Sequence, residues 1–246
     1  MQKAPVKTGA FYLSAKGDKM ITVKHTVLLM IMALSGCLTG RLLNYWRYIL
    51  PAQAFPEEIQ VDQRRMKASC LPAVFGTGFL FVTAALFIPP GWPLFAACYL
   101  LSGLLLQALI DYDCCLLLDK VSLYLLAGGF FYNLYFQKNL TICFTGLAVA
   151  GGIMLFIYWL SRGGMGFGDV KLAAVIGFWL GTEKALLALL LAFVLGGTAA
   201  VLLLASGRRS RREAIAFGPF LCLGAAIGLL WGNALLNWYW QLFAVN

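Results

Sequence analysis

The sequence predicts an all-α fold, a polytopic membrane helical bundle of about eight transmembrane helices, and three observations predict it. Hydrophobic residues make up 61% of the chain and charged residues only 12%, far from the half-apolar, quarter-charged balance of a soluble domain. A span needs about 20 mostly apolar residues to cross a hydrocarbon core of about 30 Å, and the 246 residues hold roughly eight such runs. The segments between them are short and polar or rich in turn residues, which leaves no room for a separate soluble domain.

A polar tail covers residues 1–25, and the first apolar run, 26–40, follows it. The longest polar stretch then runs from Arg41 to about Cys70. Runs at 71–88 and 91–110 meet at Pro89-Pro90-Gly91, a tight-turn sequence that makes them antiparallel neighbours. Runs at 121–136 and 140–160 are joined through Gln137 to Asn139, and a shorter run at 170–182 meets the next, 185–205, through Gly181 to Lys184. The last run is 214–236. Residues 26–246 are therefore expected to form a single transmembrane domain.

Orientation follows from the basic residues. With the N-terminus outside, the inner loops (41–70, 110–121, 161–171 and 206–213) hold twelve Lys and Arg, whereas the outer hairpins hold only Lys138 and Lys184. Positive charge accumulates on cytoplasmic loops, so this orientation is favoured. Five lysines in the N-terminal tail run against it, a discordance resolved if the natural start is Met20; the first span is expected to remain as an anchor. The net charge of +9 thus orients the chain in its membrane and does not indicate nucleic-acid binding. Arg208, Arg209, Arg211 and Arg212 serve the same end, with anionic lipid headgroups as neighbours.

Seven cysteines form no C-x-x-C pair and lie mostly in or beside apolar runs, where free Cys behaves as a small hydrophobe, so no metal site is expected. The lone histidine, His25, stands at the outer start of the first span. A Ser-His or Cys-His nucleophile therefore has no base near the inner loops.

The acids carry the chemical signal. Asp111, Asp113, Asp119 and Asp169 all fall at the inner side, where carboxylates at a membrane boundary are costly unless paired, hydrated or functional. Asp111 ends the third run, in Leu109-Ile110-Asp111-Tyr112-Asp113. Asp169 sits in Gly163-Gly164-Met165-Gly166-Phe167-Gly168-Asp169, whose glycines disfavour a regular helix, and the run after it is too short to span. Two carboxylates converging in a dry pocket share a proton, so one acts as base on a water while the other polarises a carbonyl. Asp119 also reads as a helix N-cap, Asp113 as a solvated loop acid or an aid to Asp111, and Lys171 as a snorkelling loop lysine. On chemistry alone, a structural or ion-pathway role for Asp111 and Asp169 stands beside the catalytic one.

Gly166-Phe167-Gly168-Asp169-Val170-Lys171-Leu172 resembles the Gly-x-Gly-Asp-Val-Lys-Leu signature of the type IV prepilin peptidases, the leader peptidases of type II secretion. Three further segments are similar to that family in the same order. They are Gly40 to Pro51, Ile110-Asp111 with Asp119 eight residues on, and Phe217-Gly218-Pro219. The resemblance implies a Gly-x-Gly-Asp type membrane aspartic protease with Asp111 and Asp169 catalytic, and with Gly166, Gly168, Asp113 and Asp119 shaping the site or meeting substrate. Its substrates would be prepilin or pseudopilin precursors, cut behind their basic leader at the cytoplasmic face of a bacterial inner membrane. The two C-x-x-C pairs of full-length members are missing from the first inner loop, where only Cys70 remains, so zinc is not expected there. No cofactor is expected for the cut itself, and S-adenosylmethionine enters only if N-methylation of the product is retained. Leu118 replaces the family's Pro before the second Asp of that segment.

Two rival functions compete. An ion-coupled transporter also places acids and broken helices at membrane depth, but it predicts paired, Gly-interrupted repeats that the sequence lacks. A catalytically silent assembly subunit is opposed only by the retention of both aspartates. Oligomeric state is not legible.

Overall fold

In a computed structural model the described residues are 19–54, 70–136, 139–162, 164–206 and 216–243. They form eight helices and no strand: α1 (Lys19–Ala54), α2 (Cys70–Phe87), α3 (Trp92–Cys114), α4 (Asp119–Tyr135), α5 (Leu140–Leu160), α6 (Phe167–Leu180), α7 (Thr182–Ala205) and α8 (Gly218–Phe243). Six of them, α1, α2, α3, α5, α7 and α8, are long and apolar enough to cross a membrane. The chain is a multi-pass membrane protein. The N-terminal tail to residue 18, residues 55–69 of the expected first inner loop and the Arg208 to Arg212 cluster lie outside the described residues.

The remaining two helices are the short ones. At 14 residues α6 rises only about 21 Å, yet Leu172 and Ala173 are 0% exposed and Ile176 and Phe178 are 1% exposed. It is surrounded by α4, α5, α7 and α8, so protein rather than lipid covers most of its length, which is where short or interrupted helices are tolerated at membrane depth. The closest approach is to α5, where a Cβ on Gly146 would lie 2.2 Å from Gly177 O, and one on Gly177 would lie 2.2 Å from Gly146 O. Without a hydrophobic drive between helices in lipid, such backbone contact supplies the attraction.

The structure moves several boundaries. The first helix does not stop at residue 40 but continues through Arg41 to Ala54, because the polar residues beyond it are packed against the bundle: Leu43, Asn44, Arg47 and Pro51 are buried. At 36 residues it is about 54 Å long, well beyond a bilayer core of about 30 Å. The third helix runs past residue 110 to Cys114, and Cys115 closes it in the left-handed conformation (φ 51°), donating its N–H to Asp111 O. What was expected as a loop over 110–121 shrinks to residues 115–118. The final helix begins at Gly218 rather than residue 214.

The C-terminal ends of α1, α3 and α5 and the N-terminal ends of α4, α6 and α8 share one end of the bundle, joined there by contacts of Arg47 with Asp113, Tyr158 with Phe167, Leu117 with Gly168, and Gly218 with Asp111. α8 packs on α3 and α6, and α4 packs on the same two helices from elsewhere, while α3 and α6 have little backbone contact and meet through the Tyr99 and Trp179 rings, 6.1 Å between centres, away from the aspartates. Two helices thus hold two others apart.

Candidate active site

Asp111 and Asp169 arrive from different directions at that shared end. Asp111 lies in the last turn of α3 and is 5% exposed; Asp169 lies in the first turn of α6 and is 7% exposed. The two carboxylates are within electrostatic reach of one another. Each also meets a helix N-terminus, where unpaired amides favour negative charge. The N–H of Gly218, the first residue of α8, donates to Asp111 Oδ2 at 2.9 Å, and Asp169 stands at the start of its own helix. Asp169 Oδ1 is buried without a hydrogen-bond partner. A buried acceptor in that state calls for an explanation, and an active site is one.

Space at the pair is set by two glycines and a leucine. A Cβ on Gly218 would lie 2.6 Å from Asp111 Oδ2 and 3.0 Å from Leu117 Cδ2; a Cβ on Gly168 would lie 2.8 Å from Leu117 Cβ. Both positions therefore exclude a side chain. Leu117, in the turn between α3 and α4, is seated against both glycines. Cys222, one turn after Gly218 on α8, is 4% exposed and within electrostatic reach of both carboxylates.

Gly166 and Gly168 part company here. Gly166 is the N-cap residue of α6 in extended conformation (φ −74°, ψ 141°), and its carbonyl accepts the Asp169 N–H at 3.2 Å. Gly168 is inside the helix, not in an irregular segment, and its missing side chain makes room for Leu117 rather than for open space. Glycine richness suggested a broken backbone from 163 onward, but tertiary packing overrides that local preference from residue 167.

Asp113 and Asp119 stand apart from the pair. Asp113 accepts from Arg47 Nε and Nη2 at 2.5 and 2.7 Å, a two-pronged contact that ties the long end of α1 to α3. The Arg47 side chain is 6% exposed and its guanidinium also faces the Tyr48 ring at 5.5 Å. Asp113 is thus a paired helix residue and not a free loop acid. Asp119 is the first residue of α4, with Leu118 in the cap position, so it is not the N-cap. Its Oδ2 accepts from Lys171 Nζ at 2.6 Å, with both side chains substantially exposed. Lys171 is consequently a paired helix residue, and its ammonium also lies 5.2 Å from the Phe167 ring centre.

Gln107, whose buried amide bonds Leu118 and Ser122 across the turn 115–118, Gly218 as a donor, Cys222 and the Arg47 pairing carry no motif in the sequence. An isolated Gln in an apolar run was the available signal for the first, since a buried amide must find partners. Two cavities occur away from the carboxylates. One, of about 470 Å³, is lined by aromatics at the opposite end, among them Trp92, Tyr99, Tyr132 and Trp179. The other, of about 440 Å³, lies over α6 between α4 and α5, with Asp119, Lys120 and Lys171 among its lining residues. No group of three or more metal-ligating side chains occurs among the described residues.

Residues 98–201 match the model of the Type IV leader peptidase family. Among curated proteins, the chain is 36% identical over 170 residues to a prepilin leader peptidase/N-methyltransferase of Aeromonas hydrophila, covering 66% of this chain and 58% of that one. It is 35% identical over 157 residues to a protein of the same description from Pseudomonas aeruginosa, covering 61% and 54%. The match to one from Legionella pneumophila is 34% over 140 residues, covering 53% and 47%. The chain spans about half the length of these relatives. No solved structure gives a significant match.

Proposed function

We propose that this chain, whose residues 98–201 belong to the type IV leader peptidase family, is a membrane aspartic endopeptidase that removes the basic leader from type IV prepilins or type II secretion pseudopilins. The single observation that carries the reading is the convergence of Asp111 and Asp169, 58 residues apart in sequence, as two buried carboxylates at one end of the bundle. Two buried carboxylates within electrostatic reach do not both ionise cheaply, so in this mechanism one is ionised while the other carries the proton. The ionised partner takes a proton from water as the water oxygen attacks the scissile carbonyl, and the protonated partner donates to the carbonyl oxygen. Collapse of the tetrahedral intermediate breaks the C–N bond, and a carboxyl proton passes to the leaving amine. Asp169 Oδ1, buried and without a partner, is the acceptor best disposed to hold that water.

The reading also places the pair at the cytoplasmic face of a bacterial inner membrane, where a precursor's basic leader would lie. Charge bias supports this: Arg41, Arg47, Lys120, Arg162 and Lys171 are toward the aspartate-bearing end, against Lys19, Lys24 and Lys184 toward the other. The peptidase step needs no cofactor. The N-methyltransferase part of the relatives' names is not carried over to this chain, whose first inner loop lacks the two C-x-x-C pairs of full-length members.

Co-expression of the full chain with a pilin-like precursor tests the reading by electrophoresis. Leader removal is expected with wild type and is lost with Asp169→Asn, while Asp113→Asn retains it. Cleavage that survives Asp169→Asn overturns the assignment. A mass measurement of the product's N-terminus reports separately on methylation.

A further inference from the structure

Because α3 and α6 have little backbone contact and their ring contact, Tyr99 with Trp179, lies at the far end, the separation of their aspartates is set by what lies between them. On one side that is α8, which contacts Asp111 directly through Gly218 N–H. On the other it is the turn 115–118, whose Leu117 fits against Gly168 on α6 and Gly218 on α8. A turn of four residues at a membrane boundary is not rigid by itself. It is held here by Gln107, which is 0% exposed and stands one helical turn before Asp111.

The Gln107 amide reaches the turn from both sides. Nε2 donates to Leu118 O at 3.0 Å and to Ser122 Oγ at 2.9 Å, and Oε1 accepts the Leu118 N–H at 3.1 Å. All three bonds are buried, so their geometry is not loosened by competing water. An aliphatic side chain at this position would avoid the cost of burying an amide, and a leucine of similar size would fill the same space. What the amide adds is a fixed register between α3 and the start of α4. Leu117, the residue before the clamped Leu118, inherits that register.

We propose that Gln107 is a positioning residue: by clamping the 115–118 turn it holds Leu117 as a spacer between the aspartate-bearing ends of α3 and α6 and so sets the separation of Asp111 and Asp169. This rests on the peptidase reading above. Shared protonation depends steeply on distance between like charges, so a spacer acts directly on the pH range over which one carboxylate is protonated and the other ionised. Cys222 from α8 is the other titratable group facing the pair. Beyond it, Cys114 and the paired Asp113 and Arg47 lie toward α1, and the paired Asp119 and Lys171 lie toward α4.

The test measures leader removal by the detergent-solubilised full chain from pH 4 to 10, for wild type, Gln107→Leu and Leu117→Ala. Leu117→Ala leaves every clamp hydrogen bond in place and so separates spacing from folding. In both variants the carboxylates are expected to approach. The bell-shaped profile should widen by about half to one pH unit, and kcat should fall about tenfold with KM changed less than about twofold. A merely structural role would lower the amount of active enzyme and leave both limbs of the profile where they were. Wild-type cleavage with profiles of unchanged position and width in both variants overturns the positioning role alone. A wild type that cleaves no pilin-like precursor overturns the peptidase reading and this one with it.

Discussion

The two ends of the α3–α4–α6 unit are built on opposite principles. At the end away from the aspartates, Tyr99 of α3 donates its hydroxyl to Tyr124 O at 2.6 Å, and Trp179 of α6 donates its indole N–H to Leu125 O at 2.8 Å. Both rings lie where α4 has no side chain. A Cβ on Gly128 would be 2.3 Å from Tyr99, and one on Gly129 would be 2.7 Å from Trp179. The rings take the space that the two glycines leave, and their polar tips are satisfied, as stability requires. At the other end, one carboxylate oxygen is buried without a partner and two acids share one site. Where the same three helices meet, one end is optimised for holding together and the other tolerates unfavourable chemistry. Such local conflict marks function when the surroundings are otherwise consistent.

The contrast breaks most sharply at the acids. Asp111→Asn and Asp169→Asn are each expected to reduce leader removal at least about 10³-fold, while thermal unfolding in detergent stays within roughly a few degrees of wild type. A large fall in unfolding temperature together with activity would make the acids structural. Next comes Gly218→Ala. Its Cβ must displace Asp111 Oδ2 or Leu117, so turnover should drop about 10²-fold with KM little altered, since misplacement near the chemistry is costly. Steady-state kinetics on a purified precursor reads this directly.

At the opposite end the sign reverses. Gly129→Ala forces a methyl against a ring fixed by its own hydrogen bond and should cost about 1–3 kcal/mol of stability, with the pH profile of cleavage unchanged. Thermal unfolding followed alongside that profile tests it; a shifted profile would mean the two ends are not independent. The smallest effect belongs to Asp119→Asn. Its pairing with Lys171 is exposed, so the loss should be about 0.5 kcal/mol or less and should shrink further at high salt.

What the sequence carried, and what it did not, follows the same division. Apolar run length placed the helices because lipid imposes length directly, and the short run after Asp169 foretold the short α6. Hydropathy misread the end of α1, since Arg41, Asn44 and Arg47 look like loop residues until Asp113, 66 positions away, is seen to receive the guanidinium. The catalytic candidates were visible as acids in an apolar setting, helped by the resemblance at Gly166 to Leu172. Gln107, Leu117 and Cys222 were not. Their roles lie in contacts between helices, and no period in one helix reports which neighbour it will meet. Gly168 is the instructive case: its smallness was legible, but smallness suggested a broken helix when its use is to admit Leu117.

The central claim is that two buried aspartates, and not the two exposed ones nearby, perform the cut. The most direct measurement reconstitutes the purified full chain in lipid nanodiscs with a synthetic pilin-like precursor and reads product by mass spectrometry, comparing wild type with single Asn substitutions at Asp111, Asp113, Asp119 and Asp169. The account predicts one cut behind the basic leader, lost with Asp111→Asn and Asp169→Asn and retained with the other two. Retention with either of the first pair would contradict it.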